Sequence, residues 1–303
     1  MKLWKLSVLA AIIITGMGKE SIRPTVLGIL NLTDDSFSDG GAYATLETAL
    51  VHARQLLADG ADLIDVGAEA THPRAEAVSE EEEMARLTPV VTELKKIEAR
   101  VSVDTTKPGV MRRMLALGAD VINDVTGFLN PESVAAVRDS TAKIIVMHAV
   151  HTLTAEQLPV TPRAEPLSYS PPGIVARIEN FFRERISTLM AAGIAKERII
   201  LDPGMGVFLG NNPRASFQVL IHLPKFRKLG VPLCVCTSRK SFLTSVLHGP
   251  PRPPRERGAA TLATELIAFD QGAQYIRTHD VRALCDALAI WDALDRRHDA
   301  AAV

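Results

Sequence analysis

Short β-branched runs and longer stretches of helical period alternate eight times along this chain, and that alternation constrains its fold more than any other feature. Candidate strands cover residues 25–31, 63–68, 100–105, 121–125, 143–149, 198–204, 231–237 and 275–280. Candidate helices cover 45–59, 79–97, 107–118, 131–138, 173–193, 213–229, 240–248 with 259–272, and 281–295. Strand and helix in strict alternation make a parallel sheet with crossover helices, and eight such pairs make a closed (β/α)8 TIM barrel, an α/β fold in a single domain. A doubly wound open sheet would carry a glycine-rich dinucleotide fingerprint after its first strand. Gly28-Ile29-Leu30-Asn31 is not one.

Composition narrows the function classes. The 303 residues carry 34 Lys+Arg against 35 Asp+Glu, a formal charge of −1, so no global field attracts nucleic acid and any cationic site must be local. No apolar run reaches the about 20 residues that a membrane span needs. Three cysteines are too few for a disulfide scaffold and suit a cytoplasmic protein. Residues 1–22 read as an N-terminal extension or a signal-like segment, with two lysines ahead of an apolar stretch, and both readings stay open. The barrel is expected over 23–296 and a short polar and alanine tail over 297–303.

Three phrases recur ahead of strands: Gly60-Ala61-Asp62, Gly118-Ala119-Asp120 and Gly272-Ala273-Gln274. Glycine there supplies the left-handed cap that ends a helix, which marks the turns at the stability face of the barrel. A proline-rich segment over 159–172 follows strand five and either lids a site or serves as a plain connection. Cys234 and Cys236 alternate on strand seven and read, with Cys285, as buried thiols, because a metal site needs more ligands. The acidic run Glu80–Glu83 opens a helix, where negative charge complements the dipole.

Active sites of such barrels lie at the C-terminal strand ends, and here those ends are strongly polar. Asp104, Asn123 and Asp202 come from three strands and, with Lys240, offer acceptors, an amide and a cation. A flat heterocycle bearing amino and ring N–H donors and a carbonyl needs this set of partners. The alternative is that each group caps a helix or pairs internally. Arg277 and His279 are two apart on one strand and share a face, which suits a phosphate or diphosphate, with Asn31 helping to hold a Mg2+ ion on its oxygens. A rim ion pair of Arg277 with Asp280 is the competing reading.

With these residues in view, the sequence resembles the dihydropteroate synthases over residues 26–294. The motifs are Gly28-Ile-Leu-Asn-Leu-Thr-Asp-Asp-Ser-Phe-Ser-Asp-Gly-Gly41, Ser102-Val-Asp-Thr105, Ile122-Asn-Asp124, Leu201-Asp-Pro-Gly204, Ser238-Arg-Lys-Ser-Phe242 and Arg277-Thr-His-Asp-Val281. The family condenses 6-hydroxymethyl-7,8-dihydropterin diphosphate with 4-aminobenzoate to dihydropteroate and diphosphate. The resemblance implies that Asp104, Asn123, Asp202 and Lys240 hold the pterin, with Met147 stacked against it. It implies that Asn31, Arg277 and His279 hold the diphosphate and Mg2+, with Asn31 as the metal ligand. Thr71 and Ser241 would face the aminobenzoate, two loops, 33–41 and 70–78, would close over the site, and Asp35 would stabilise the cationic pterin methylene. Catalytic roles fall to Asp35, Lys240 and Arg277, and pairing as a homodimer is implied as well.

Three stretches depart from the usual family pattern. Ala70-Thr71-His72-Pro73-Arg74 replaces Ser-Thr-Arg-Pro-Gly, Met205-Gly206-Val207-Phe208-Leu209-Gly210 replaces Gly-Phe-Gly-Lys, and Val125-Thr-Gly-Phe128 replaces a Gly-Gly turn. They resemble the acquired, sulfonamide-insensitive type. His72, Phe128 and Phe208 are therefore expected on the aminobenzoate side, where the bulk of Phe128 or Phe208 excludes a sulfonamide, although either phenylalanine also reads as a core residue and His72 reads either as a weaker anion contact or as a surface residue. Two competing functions are a methyltransferase barrel that uses a methylated folate and a non-catalytic pterin-binding paralogue. The first has no need of Arg277 with His279, and the second predicts damage in the first loop, where Asn31, Asp35, Ser36 and Asp39 are all present.

Overall fold

A computed structural model of the chain describes residues 23–32, 42–69, 78–150, 171–210 and 212–300. Its strands are β1 (Thr25–Asn31), β2 (Leu63–Gly67), β3 (Val101–Asp104), β4 (Val121–Asp124), β5 (Lys143–Met147), β6 (Ile199–Asp202), β7 (Cys234–Val235) and β8 (Tyr275–Thr278). The helices that alternate with them are α1 (Ala42–Ala58), α2 (Glu80–Lys96), α3 (Pro108–Ala116), α4 (Pro131–Arg138), α5 (Pro171–Ala191), α6 (Pro213–Arg227), α7 (Gly258–Asp270) and α8 (Val281–Ala300). All strand pairs are parallel, in the order β6-β5-β4-β3-β2-β1-β8-β7. A parallel bridge between Leu201 and Leu233 joins the two ends and closes the expected (β/α)8 barrel.

Helix starts follow local chemistry. Ser79 accepts the Glu82 N–H at 3.1 Å and Glu80–Glu83 fill the first turn of α2. Asn130 and Asn212 cap α4 and α6 in the same way, each ahead of a proline whose missing N–H costs nothing at that position. The expected strand over 231–237 shrinks to Cys234–Val235, since Pro232 has no N–H to give and its carbonyl serves the Leu201 N–H instead. The expected helix over 240–248 is a 3-10 segment, Ser241–Val246. The last helix runs past the expected end at 295 to Ala300, so the tail boundary at 297 falls inside it.

The recurring Gly-Ala-Asp and Gly-Ala-Gln phrases do more than end helices. Gly60, Gly118 and Gly272 take φ of 107°, 92° and 94°, as the left-handed cap requires. In each phrase the third residue then clamps the start of the neighbouring strand. Asp62 accepts the Val26 N–H through its side chain at 2.8 Å and donates its own N–H to the Val26 carbonyl. Asp120 does the same for Val101 at 2.8 Å and Gln274 for Leu233 at 2.9 Å. Register is thereby set at the bottom of three strand pairs.

The barrel interior is layered by the two-residue strand period. A lower apolar layer joins Leu27, Leu63, Val121, Ile145, Ile200, Cys234 and Tyr275. Two residues further along the same strands stand Ile29, Asp65, Asn123, Met147, Asp202, Cys236 and Arg277. The larger core lies outside, between strands and helices. Cys234 and Cys236 are buried, Cys285 is half-buried, and all three are free thiols. Among the described residues no helix is long and apolar enough to cross a membrane.

Candidate active site

The apolar lower layer seals the barrel, so the charged layer above it forms the floor of a cavity of about 350 Å³ open at the C-terminal strand ends. Arg277 crosses that floor. Its Nε donates to Asp65 Oδ2 at 2.9 Å, and its Nη2 donates to the same oxygen and, at 2.8 Å, to Asp104 Oδ2. The guanidinium therefore faces two carboxylates inside the barrel, and the rim pair with Asp280 does not form. Asp280 instead caps α8, accepting the Ala283 N–H at 3.2 Å.

Burial drives the titration of this layer. It pushes Asp104 up to about 7, with Arg277 opposing and Asp65 adding to the rise. It also raises Asp202, against the Gly204 N–H bond and the charges of Arg277 and Lys240. For Arg277 burial works against the charge, but Asp65 and Asp104 hold it well above the ordinary range. Removing one buried carboxylate would leave the other groups uncompensated, so these charges form one unit.

Several polar atoms here are buried with no hydrogen-bond partner among the described residues: both amide atoms of Asn123, Oδ1 of Asp65 and Oγ of Ser102. Each unsatisfied group costs about 1–3 kcal/mol, which a ligand carrying complementary donors and acceptors offsets. Met147 and Phe208 add apolar surface to the cavity wall, packed with Val125. Lys240 lies over the Phe208 ring, its Nζ 4.8 Å from the centroid. Gly206 keeps φ at 67°, a conformation that strains any residue with a side chain, and the Lys240 stem lies in ordinary contact beside it. Asp202, Asp104 and Lys240 thus line the cavity together as expected, whereas Asn123, next to Asp104 in register, is fully buried and does not itself line it.

On the other side of the cavity stand Asn31, Ser238, Lys240, Arg277 and His279. Ser238 Oγ accepts the His279 backbone N–H at 3.1 Å and lies 2.9 Å from His279 Nδ1. Burial, with the nearby charges of Arg239, Arg277 and Lys240, lowers His279 to about 3, so the ring is neutral near pH 7. In the tautomer in which the Ser238 hydroxyl donates to Nδ1, the ring proton sits on Nε2. The group is then a neutral donor at an anion site rather than a second cation.

Not every expected residue belongs to this cavity. Phe128 is fully buried and packs in the outer core. Its backbone sits at φ 56°, its N–H donates to Asp124 at 3.0 Å, and its carbonyl accepts from Arg185. That turn keeps the ring in the outer core, the second of its two expected places, and out of the cavity lining. Ser241 is exposed at the start of its 3-10 segment and does not line the cavity either. Asp35, Thr71, His72, the loop 33–41 and nearly all of 70–78, together with most of the proline-rich segment, lie outside the described residues. Asp65 and Ser238 also stand among the polar strand ends of the sequence, without a role assigned to either, and both line the cavity. Asp65 is legible in retrospect, being two residues beyond Leu63 on the same face of β2.

Comparison with known proteins places the chain in a family. Residues 27–279 match the family described as pterin binding enzyme. The Escherichia coli type-3 dihydropteroate synthase is 42% identical over 270 residues, 89% of this chain and 98% of that protein. The Escherichia coli type-2 enzyme is 41% identical, covering 89% of this chain and 95% of that one. Among solved structures, Xanthomonas albilineans dihydropteroate synthase with 4-aminobenzoic acid superposes with a TM-score of 0.80 at 39% identity, over 90% of this chain and 93% of that one. The same enzyme in complex with 7,8-dihydropteroate gives 0.78 at 37%, over 91% and 95%.

Proposed function

The chain belongs to the pterin-binding enzymes and, within them, to the dihydropteroate synthases of folate biosynthesis, and from that premise we propose how its residues divide the reaction. Asp104, Asn123 and Asp202 take the amino and ring N–H groups of 6-hydroxymethyl-7,8-dihydropterin diphosphate, Lys240 takes its carbonyl, and Met147 covers one ring face. The unpartnered buried amide of Asn123, beside Asp104 in register, is the observation that carries this reading. Lys240, Arg277, His279 and Ser238 face the diphosphate.

The C–O bond to the diphosphate breaks first, and the cationic methylene left on the pterin is stabilised by the negative charge of the layer and by Asp35. Fixed charges of this kind are often the largest catalytic contribution. The aniline nitrogen of 4-aminobenzoate attacks the methylene and then sheds its proton, giving dihydropteroate. No enzyme nucleophile is needed. A Mg2+ ion fits the donor set only in part supplied by substrate, since no cluster of three or more His, Cys, Asp or Glu exists among the described residues. Asn31, exposed at the end of β1, would offer one oxygen to such an ion, which would supply positive charge against the diphosphate leaving group.

Phe208 in the cavity wall supports insensitivity to sulfonamides, because it narrows the space beside Lys240. Phe208→Gly is expected to lower the sulfamethoxazole concentration for half-inhibition at least tenfold; an unchanged value removes Phe208 from this role. A homodimer fits the exposed apolar side chains Ile267, Ile290, Trp291 and Leu294 on α7 and α8, and sedimentation as a single chain would exclude it. Free thiols throughout suit the cytoplasm.

The function is tested by following diphosphate release with and without 4-aminobenzoate. Release that depends on the aniline substrate is expected. No release in either condition marks a pterin-binding scaffold, and methyl transfer from a methylated folate marks the methyltransferase.

A further inference from the structure

The chain leaves β7 through a turn whose backbone a residue with a side chain resists. The Lys240 N–H closes it on the Thr237 carbonyl at 3.2 Å, and Arg239, its third residue, sits at φ 58°. Glycine or asparagine is usual at such a position, because a β-carbon crowds the backbone there. Arg239 does not itself line the cavity, but the residues on either side of it, Ser238 and Lys240, do. The strained residue therefore sits between two groups of the site, which is where strain is worth tracing to its supports.

Those supports come from the start of α7. Thr261 Oγ1 accepts the Arg239 N–H at 3.0 Å, and Arg257 Nη1 donates to the Arg239 carbonyl at 2.6 Å. Thr264 Oγ1 lies 2.9 Å from Thr237 Oγ1. Residues 257, 261 and 264 follow the four-and-three spacing of one helix face, so a single face takes both backbone polar groups of Arg239 and the side chain that opens the turn. Arg257 is fixed in its own right: its Nε donates to the Arg252 carbonyl at 2.8 Å, and its carbonyl accepts the Thr261 N–H at 2.8 Å. Thr261 and Thr264 are buried, so a bond lost there is not simply returned to water.

We propose that Thr261 and Arg257 are positioning residues that hold Arg239 in its left-handed conformation and so aim Ser238 and Lys240 at the dihydropterin diphosphate. Released from α7, the turn would relax toward negative φ, rotate the peptide that joins Arg239 to Lys240 and carry the ammonium off the cavity. This rests on the reading of Ser238 and Lys240 as substrate contacts. The test is titration of inorganic diphosphate into the full chain, with KM for the dihydropterin diphosphate measured alongside. Thr261→Val and Arg257→Met are each expected to weaken the first and raise the second roughly three- to tenfold, the scale of one lost hydrogen bond. Thr261→Ser, which keeps the acceptor, should match wild type. Arg239→Gly, which takes positive φ without strain, should recover most of the loss when combined with Thr261→Val, a response that general packing of Thr261 would not give. Wild-type values in folded Thr261→Val and Arg257→Met overturn the proposal, as does a Thr261→Val defect that Arg239→Gly leaves in full. Lys240→Ala separates the underlying reading: if it too leaves both values at wild type, that reading falls and the proposal with it, whereas a weakened Lys240→Ala beside an unaffected Thr261→Val removes the proposal alone. If Thr261→Val does not fold, Arg257→Met with and without Arg239→Gly decides.

Discussion

Arg277 and Lys240 are both cations at one cavity, yet they stand in different relations to it. Arg277 is engaged by Asp65 and Asp104 on the floor, whereas Lys240 reaches over the Phe208 ring. Lys240→Ala therefore removes a contact to substrate without breaking a hydrogen bond to a buried carboxylate, although it takes away one of the charges near Asp202. Its expected cost is about two orders of magnitude in the rate of diphosphate release, as the loss of a charge-assisted bond of about 3 kcal/mol gives. A rate within a few-fold of wild type would show that Lys240 does not touch the reacting substrate. Such pairings explain why the role of Asp65 was hidden in the sequence: its motif is a bare Leu-Ile-Asp-Val-Gly, and the arginine that defines its purpose lies at the far end of the chain.

At the scale of elements, the alternation of strands and helices was legible because hydrophobic period and capping residues agree locally, as at Ser79 with Glu80–Glu83 and at Asn130 with Pro131. The failures have physical causes as particular. Strand seven is short because Pro232 has no N–H to give to the ladder, and Phe128 lies outside the cavity because a left-handed turn, bonded to Asp124 and Arg185, reverses its direction. The Gly-Ala-Asp turns were read as helix ends alone, since a side chain that clamps the preceding strand is invisible without the register. Asp120→Ala should therefore destabilise the fold by about 1–3 kcal/mol, losing both the Val101 bond and the Lys95 pair, while leaving both KM values unchanged in the folded enzyme. Denaturant unfolding with parallel kinetics checks this, and a change in KM without loss of stability would contradict it.

For the whole molecule, a barrel with its charges gathered at one mouth must keep them tolerable in a dry interior. His148 meets this condition by staying neutral: burial, with the Arg177 charge, lowers it to about 3. A histidine whose folded value lies below its unfolded 6.5 contributes stability that is complete above pH 6.5 and is lost as the pH falls toward 3. The stability gap between wild type and His148→Gln should accordingly shift toward the variant by on the order of 1–2 kcal/mol between pH 7 and pH 5. A gap constant over that range, measured by urea unfolding, would mean the ring is charged or solvated in the folded state.

The buried charges and the unpartnered amide of Asn123 acquire a common purpose if the floor of the barrel is a pterin site and the Ser238–His279 side is a diphosphate site. That division is tested most directly by a crystal structure of the chain with the dihydropterin diphosphate bound. The expected result places the pterin within hydrogen-bonding distance of Asp104, Asn123 and Asp202, with its diphosphate against Lys240, Arg277 and His279. A pterin bound elsewhere, or lying in the cavity with its diphosphate directed toward Asn123, would contradict the account.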